Sequence, residues 1–251
     1  MILTIDVGNT NIVYGLFEGP KLVATWRTPT APYIYRKIKG NIAQVIIASV
    51  VPAVNRKLAK DIKQHYGLVP RFVSAADIPL IKVKLSDKKA IGADRVVNAL
   101  AAYTLYNRPA LIIDFGTATT FDYVSAKGEY LGGAIAPGIT LARDTLHQRT
   151  AKLPSVPIVA PKRVVGRSTV EALQSGLVFG YVAMVEGMVK RIKSELSNSN
   201  ARMTNARMTV IATGGLAKLI CKYTPVVDII DLDLTLKGLR IIAEKKLSTC
   251  G

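Results

Sequence analysis

The sequence predicts an α/β protein made of two similar halves. Two observations carry this. A short apolar strand ends in Asp6-Val7-Gly8-Asn9-Thr10-Asn11, and a second ends in Asp114-Phe115-Gly116-Thr117-Ala118-Thr119-Thr120, 108 residues further on. Each is followed by a strand, a glycine turn and another strand, and the turn glycines Gly19 and Gly128 lie 109 residues apart. A strand–turn–strand–turn–strand unit that recurs at one spacing signals duplication. The expected boundary falls at residue 110, giving an N-terminal domain over 1–109 and a C-terminal domain over 110–251. The last helix, 234–247, is free to pack back on the first domain.

The elements follow from periodicity and turn chemistry. In the first half, strands are expected at residues 1–5, 11–17 and 22–26, the last two separated by Glu18-Gly19-Pro20. Residues 28–42 are polar, basic and proline-bearing. Residues 43–51 form a buried strand ending at Pro52. Val54, Leu58 and Ile62 give the helical spacing of 54–66, closed by Gly67. Residues 68–90 read as short strands and loops. Gly92 to Tyr106 is helical, with Val96, Val97, Leu100 and Ala101 on one face. In the second half, strands are expected at 110–113, 119–124 and 130–135, and a helix at 137–149. A proline-rich connection over 150–166 follows. Ser168-Thr169-Val170-Glu171 has capping-box spacing and opens a helix towards Glu195. Polar residues 197–207 read as a loop. Strands at 209–212 and 226–230 flank Thr213-Gly214-Gly215 and a short helix through Ile220.

Composition narrows the function. Apolar residues make up 49% and charged residues 20%, an ordinary globular mix. No unbroken apolar run approaches the roughly 18 residues of a membrane span, and a strand pattern begins at Met1, where a signal peptide would lie. Cys221 and Cys250 do not make a disulfide framework. The chain therefore reads as cytoplasmic. The net charge of +17 raises nucleic-acid binding. The basic residues are spread along the chain without interleaved aromatics or a reading helix, so a solvated surface around an anionic substrate is the simpler reading, with nonspecific attraction for nucleotides.

The two Asp-x-Gly turns carry the candidate chemistry. A glycine after the strand lets an anion approach the backbone. Amides and the Asn9, Thr10 and Asn11 side chains can donate to phosphate oxygens. Asp6 repels phosphate but can hold a bridging cation. Asp114, Gly116, Thr117, Thr119 and Thr120 offer the same parts. Each turn read alone is also an ordinary β-turn. Gly214 and Gly215 are either a plain turn or a place where a flat ligand or phosphate comes close. Gly92-Ala93-Asp94-Arg95 opens a helix. There Asp94 is either a residue favoured by the helix dipole or a general base beside a substrate hydroxyl, with Arg95 as an anion binder. His65 and His147 read as structural or solvated.

Together these residues resemble the type III pantothenate kinases of the acetate and sugar kinase/Hsp70/actin superfamily. The matching motifs are Asp6 to Asn11, Ser49-Val50-Val51-Pro52, Gly92 to Arg95, Asp114 to Thr119, Gly132-Gly133-Ala134-Ile135-Ala136-Pro137-Gly138, Gly166-Arg167-Ser168-Thr169 and Thr213-Gly214-Gly215, in family order. The resemblance implies two RNase-H-like (actin-like ATPase) domains with a nucleotide cleft between them. It implies transfer of the ATP γ-phosphoryl group to the terminal hydroxyl of pantothenate, the first step of coenzyme A synthesis. It implies ATP contacts from Asp6, Val7, Gly8, Asn9, Thr10, Asn11, Ile12, Val13 and Thr117, to which Gly214 and Gly215 add a fit for base and ribose. Mg²⁺ would sit at Asp6 and a monovalent cation (K⁺ or NH₄⁺) at Asp114. Asp94 would be the base, with Gly92, Ala93, Arg95 and Thr169 around pantothenate, Thr169 across a homodimer interface. No membrane and no specific nucleic acid are expected as partners.

Two stretches depart from the family pattern. Residues 28–42 are too short for the family's helical segment, and Leu85, Asp87 and Lys88 stand where a Tyr and an Asn-Pro pair are usual. A noncatalytic paralogue acting as a transcription accessory factor, or a kinase for another small hydroxylated substrate, are the alternatives.

Overall fold

The structure, a computed structural model of the 251-residue chain, describes residues 1–78, 80–87, 91–198 and 207–245. Lys88, Lys89, Leu247, Cys250 and most of the 197–207 loop lie outside the described residues. The chain divides into two units. Unit 1 contains residues 1–107, 128–131 and 233–251, and unit 2 contains residues 108–127 and 132–232.

The sheet of unit 1 is built from β1 (Ile2–Val7), β2 (Asn11–Glu18), β3 (Lys21–Pro29), β4 (Gln44–Ser49) and β5 (Arg71–Val73), in the order β3-β2-β1-β4-β5. β1 is antiparallel to β2 and parallel to β4. That order puts β1 in the middle, where its side chains are buried on both faces: Leu3, Ile5 and Val7 on one, Thr4 on the other. The first three face α1 (Pro52–Tyr66), whose Val54, Leu58 and Ile62 complete that core. Further on come a single 3-10 turn (Ala75–Asp77), β6 (Lys82–Val83) and α2 (Ala93–Tyr106).

The sheet of unit 2 repeats the order. β7 (Ala110–Phe115), β8 (Ala118–Val124), β9 (Glu129–Pro137), β10 (Thr209–Thr213) and β11 (Ile229–Ile230) run as β9-β8-β7-β10-β11, with β6 beyond β9 as a sixth strand. Its first strand again pairs antiparallel with the second and parallel with the fourth. The duplication read from the two turns and the strands around them therefore extends to both sheets, and Gly19 and Gly128 share a left-handed backbone, with φ of 54° and 70°. β9 begins in unit 1, where Lys82 and Val83 pair with Glu129 and Tyr130. The core of unit 2 is covered by α3 (Ile139–Arg149), α4 (Thr169–Asn198) and α5 (Ala217–Cys221).

Three expectations need correction. α4 is long and apolar enough to cross a membrane by length and composition alone. The sequence hides this because Gly176, Gly180, Glu186 and Gly187 interrupt the apolar residues. Val178, Val182, Val185 and Val189, at helical spacing, are buried in the unit 2 core. The strand expected over 226–230 shrinks to Ile229–Ile230. The cause is Asp228, whose carboxylate accepts from the Val210 amide at 2.8 Å and whose own amide donates to Val210 O. The capping box at Ser168 is offset by one residue. Ser168 Oγ accepts from Glu171 N at 3.2 Å, but Glu171 returns to Arg167 N at 2.8 Å.

The final helix, α6 (Leu234–Glu244), lies against α2 in unit 1. A side chain on Gly238 would meet Val97 O at 2.5 Å and Val97 Cγ1 at 2.6 Å, so the two helices approach backbone to backbone. Thr235 Oγ1 donates to Asn98 Oδ1 at 2.7 Å beside that contact.

Candidate active site

In unit 1 the candidate residues gather at one edge of the sheet. β1 and β4 run parallel, and Val7 is level with Ser49. The Val50 amide donates to Val7 O at 3.0 Å, so both chains leave the sheet side by side. In parallel sheets ligands bind outside such carboxyl ends. After β1 the chain turns at Gly8, whose amide donates to Asn11 O at 3.0 Å. Thr30 braces the turn from β3's end. Its Oγ1 donates to Gly8 O at 2.7 Å and its amide to Thr10 O at 3.1 Å. Asp6 is half-buried at the end of β1, and Asn9 and Thr10 stand exposed at the tip.

After β4, Ser49 organises the start of α1. Its Oγ donates to Asn55 Oδ1 at 2.5 Å and accepts from Val51 N at 3.1 Å, and Pro52 takes the first helical position. This explains locally why Ser-Val-Val-Pro ends the strand. Val50 reaches the next candidate: a Cβ on Gly92 would stand 3.8 Å from Val50 Cγ1. Gly92 caps α2, and Asp94 lies in its first turn. Asp94 Oδ1 accepts from the Arg95 backbone amide at 2.8 Å and fills the space where a side chain on Gly92 would begin. A side chain at 92 would push the folded-back carboxylate out of this place.

Unit 2 holds the second turn. Gly116 N donates to Ala118 O at 3.1 Å, and Gly138 N to Thr117 O at 3.0 Å, which ties the turn to the start of α3. Its hairpin is one residue tighter than the first: Asp114 pairs with Thr120, whereas Asp6 pairs with Val13. Thr213 of β10 lies level with Asp114. Gly214 follows with φ 89°, and Asp114 Oδ1 occupies the place of its missing side chain. Thr169 begins α4 and is exposed. Gly215 is exposed beside Gly214.

The geometry narrows the donor set. The amides of Gly8 and Gly116 close their own turns and are not available to phosphate. Of the second turn's hydroxyls, Thr119 is buried, Thr120 Oγ1 donates to Asp122 Oδ2 at 2.8 Å, and Thr117 is exposed. Sequence reasoning missed Thr30, which carries no motif of its own, and the part Gly238 plays in the packing of α6 on α2. His65 Nδ1 pairs with Asp61 O at 2.8 Å and His147 Nδ1 with Leu153 O at 2.9 Å, both structural. Leu85 is half-buried and Asp87 exposed, while Lys88 is outside the described residues.

The oxygen donors at these turns suit hard cations. Among the described residues no three His, Cys, Asp or Glu side chains come together as a metal cage. A magnesium ion needs none when one carboxylate, waters and substrate phosphates complete its shell, so the Asp6 turn fits it.

A five-stranded order repeated twice, with a glycine turn after the first strand of each sheet, defines the fold of the actin-like ATPases and sugar kinases. Solved structures agree. A conserved Baf family protein from Campylobacter jejuni, described as a transcriptional activator, aligns at a TM-score of 0.60 and 18% identity over 96% of both chains. A Sinorhizobium meliloti protein described as a 2-dehydro-3-deoxygalactonokinase aligns at 0.56 and 11% identity, over 100% of this chain and 98% of its own.

Sequence similarity is more specific. The profile of the type III pantothenate kinase family matches residues 2–191. Proteins of that name from Parafrankia sp. (strain EAN1pec) and Moorella thermoacetica are 43% and 41% identical to this chain, over 98% of it and 98% and 99% of their own lengths. The chain belongs to the type III pantothenate kinase family.

Proposed function

We infer that this protein phosphorylates pantothenate with ATP, yielding 4'-phosphopantothenate, the first committed product on the way to coenzyme A. The supporting observation is that an end-to-end relative of the type III pantothenate kinases, at 41–43% identity, keeps a glycine turn and an acid-bearing helix on one strand-end edge of unit 1.

In this reading Asp94 accepts the proton of the pantothenate hydroxyl as its oxygen attacks the γ-phosphorus. The bond from that phosphorus to the β–γ bridging oxygen breaks, and ADP leaves. The Asp94–Arg95 hydrogen bond holds the carboxylate in place. Residues 6–13 and Thr117 bind the ATP phosphates, and Gly214 and Gly215 bind the nucleoside end. Gly92, Ala93, Arg95 and Thr169 bind pantothenate. Mg²⁺ would be held at Asp6 and a monovalent cation at Asp114, where they would supply positive charge to the phosphates. Positioning and charge neutralisation account for most of the catalysis in such transfers.

Homodimerisation belongs to the same reading. Thr169 is flanked by exposed Val164, Val165 and Val170, at 68%, 82% and 41% exposure, an apolar surface of the kind that partners cover. A cytoplasmic location belongs to it as well.

The test is an ADP-release assay over a panel of small hydroxylated acids and sugars. Turnover with pantothenate alone, dependent on Mg²⁺ and raised by K⁺ or NH₄⁺, is expected. Preference for another substrate would overturn the pantothenate assignment. Light scattering of the purified protein checks the dimer.

A further inference from the structure

The kinase reading leaves two features unused: the excess positive charge and the strap formed by residues 30–42. They coincide. Between residues 30 and 66 the chain carries seven cations, Arg36, Lys37, Lys39, Arg56, Lys57, Lys60 and Lys63, against one carboxylate, Asp61. All seven are exposed.

The strap is fastened to α1. Tyr33 Oη donates to Asp61 Oδ2 at 2.7 Å, and Lys57 Nζ sits 5.8 Å from the centre of the Tyr33 ring. The Tyr35 ring lies 4.8 Å from that of His65. The Ile38 amide donates to Tyr66 Oη at 2.7 Å, and Tyr66 Oη donates to Ile38 O at 3.2 Å. These contacts occupy Asp61 and fasten the strap along the flank of α1 that carries Lys57, Asp61 and His65. None of the seven cations forms an ion pair among the described residues. Along α1, Arg56, Lys60 and Lys63 lie on the side away from Val54, Leu58 and Ile62, over roughly 10 Å of helix axis.

We propose that this face, the outer side of α1, docks the phosphate backbone of duplex nucleic acid without regard to sequence. Charge complementarity selects the partner: fixed cations about one helical turn apart match a polymer that carries a phosphate every few ångströms. The rings choose duplex over single strand. Tyr33, Tyr35 and Tyr66 are half-buried and engaged with α1 or the strap, so they offer no stacking platform for unpaired bases. The role requires no reading helix and is separate from phosphoryl transfer.

The test uses the full-length protein and a random-sequence 20-base-pair DNA duplex, with binding measured by fluorescence anisotropy between 50 and 200 mM KCl. Two charge-matched variants are compared: Arg56→Glu/Lys60→Glu/Lys63→Glu on α1, and Lys190→Glu/Arg191→Glu/Lys193→Glu on α4. The proposal expects the α1 variant to bind at least tenfold more weakly at the lowest salt. Its log–log salt slope should be shallower by about 0.9 for each phosphate contact removed. The α4 variant should bind like the wild type, and kinase activity should persist in both. Equal losses in the two variants would make binding a property of net charge and overturn the proposal, as would wild-type binding by the α1 variant. Phosphatidylserine vesicles form a second arm. Vesicle binding that depends on the α1 cations, without duplex binding, would overturn the choice of partner.

Discussion

The carboxylate of Asp114 occupies the space that a side chain on Gly214 would need. The two residues are distant in sequence, and they meet because β10 runs parallel to β7 with Thr213 level with Asp114. Gly214→Ala would therefore add a methyl group against Asp114 Oδ1 and against the Phe115 backbone, 2.7 Å away, at a left-handed φ of 89°. The expected outcome is a loss of about 1–3 kcal/mol in stability. Weaker activation by monovalent cation should accompany it. Thermal unfolding and a K⁺ titration of activity measure the two effects, and a variant that keeps both wild-type values would speak against the proposed cation role of Asp114.

Asp94→Asn keeps an oxygen able to accept from the Arg95 amide but cannot take a proton. A fall in kcat of roughly 10²–10⁴-fold is expected. ATP affinity, followed by calorimetry, should stay within about twofold. Full activity would reject Asp94 as the base.

Thr30→Val deletes the hydroxyl that holds Gly8 O at 2.7 Å while preserving the branched shape. The lost bond contributes about 1 kcal/mol to the turn. KM for ATP should rise several-fold with KM for pantothenate unchanged, as steady-state kinetics would reveal. An effect confined to pantothenate would contradict the role given to the first turn.

Gly238→Leu forces α6 away from α2, since even a Cβ there meets Val97 O at 2.5 Å. A destabilisation of about 1–3 kcal/mol is expected in denaturant unfolding. Kinase activity should fall too, because α2 carries Asp94. Unchanged unfolding would show that the two helices can separate without cost.

Burial pushes the Cys221 thiol up from 9.0 to about 11. The folded state therefore holds this proton more tightly than the unfolded state. The associated stability is complete below about pH 9 and is lost as pH rises through about 11. In a Cys250→Ser background, alkylation by iodoacetamide at pH 8 should be about a hundredfold slower than for a free thiol, in line with the smaller thiolate fraction. A rate equal to that of the free thiol would show the site to be open.

The parts of the fold that could be read in the sequence are local. Asp6 and Asp114 each end an apolar strand and are followed at once by their turns, so the two hairpins are written in short stretches. Val54, Leu58 and Ile62 likewise announce α1 by spacing alone. The missing parts depend on distant segments. Nothing near Gly8 signals that Thr30 will brace it. Nothing near Thr119 and Thr120 tells which hydroxyl turns into the core and which meets Asp122, because that follows from strand pairing. Asp228 ends a strand early by using its side chain in place of the backbone ladder, which composition does not foretell. The apolar character of α4 was hidden by glycines that a helix tolerates once its valine stripe is buried.

The contact between Gly238 and Val97 has a consequence for synthesis. Residues 1–107 leave the ribosome long before α6 does, so the face of α2 that receives Gly238 stays uncovered while all of unit 2 is made. Unit 2 can collapse as a continuous stretch once residue 232 has emerged, apart from the short insertion at 128–131. Unit 1 must wait for a segment more than a hundred residues downstream. The order of completion is thus the reverse of the order of translation, and the helix bearing Asp94 is among the last parts of the chain to be secured.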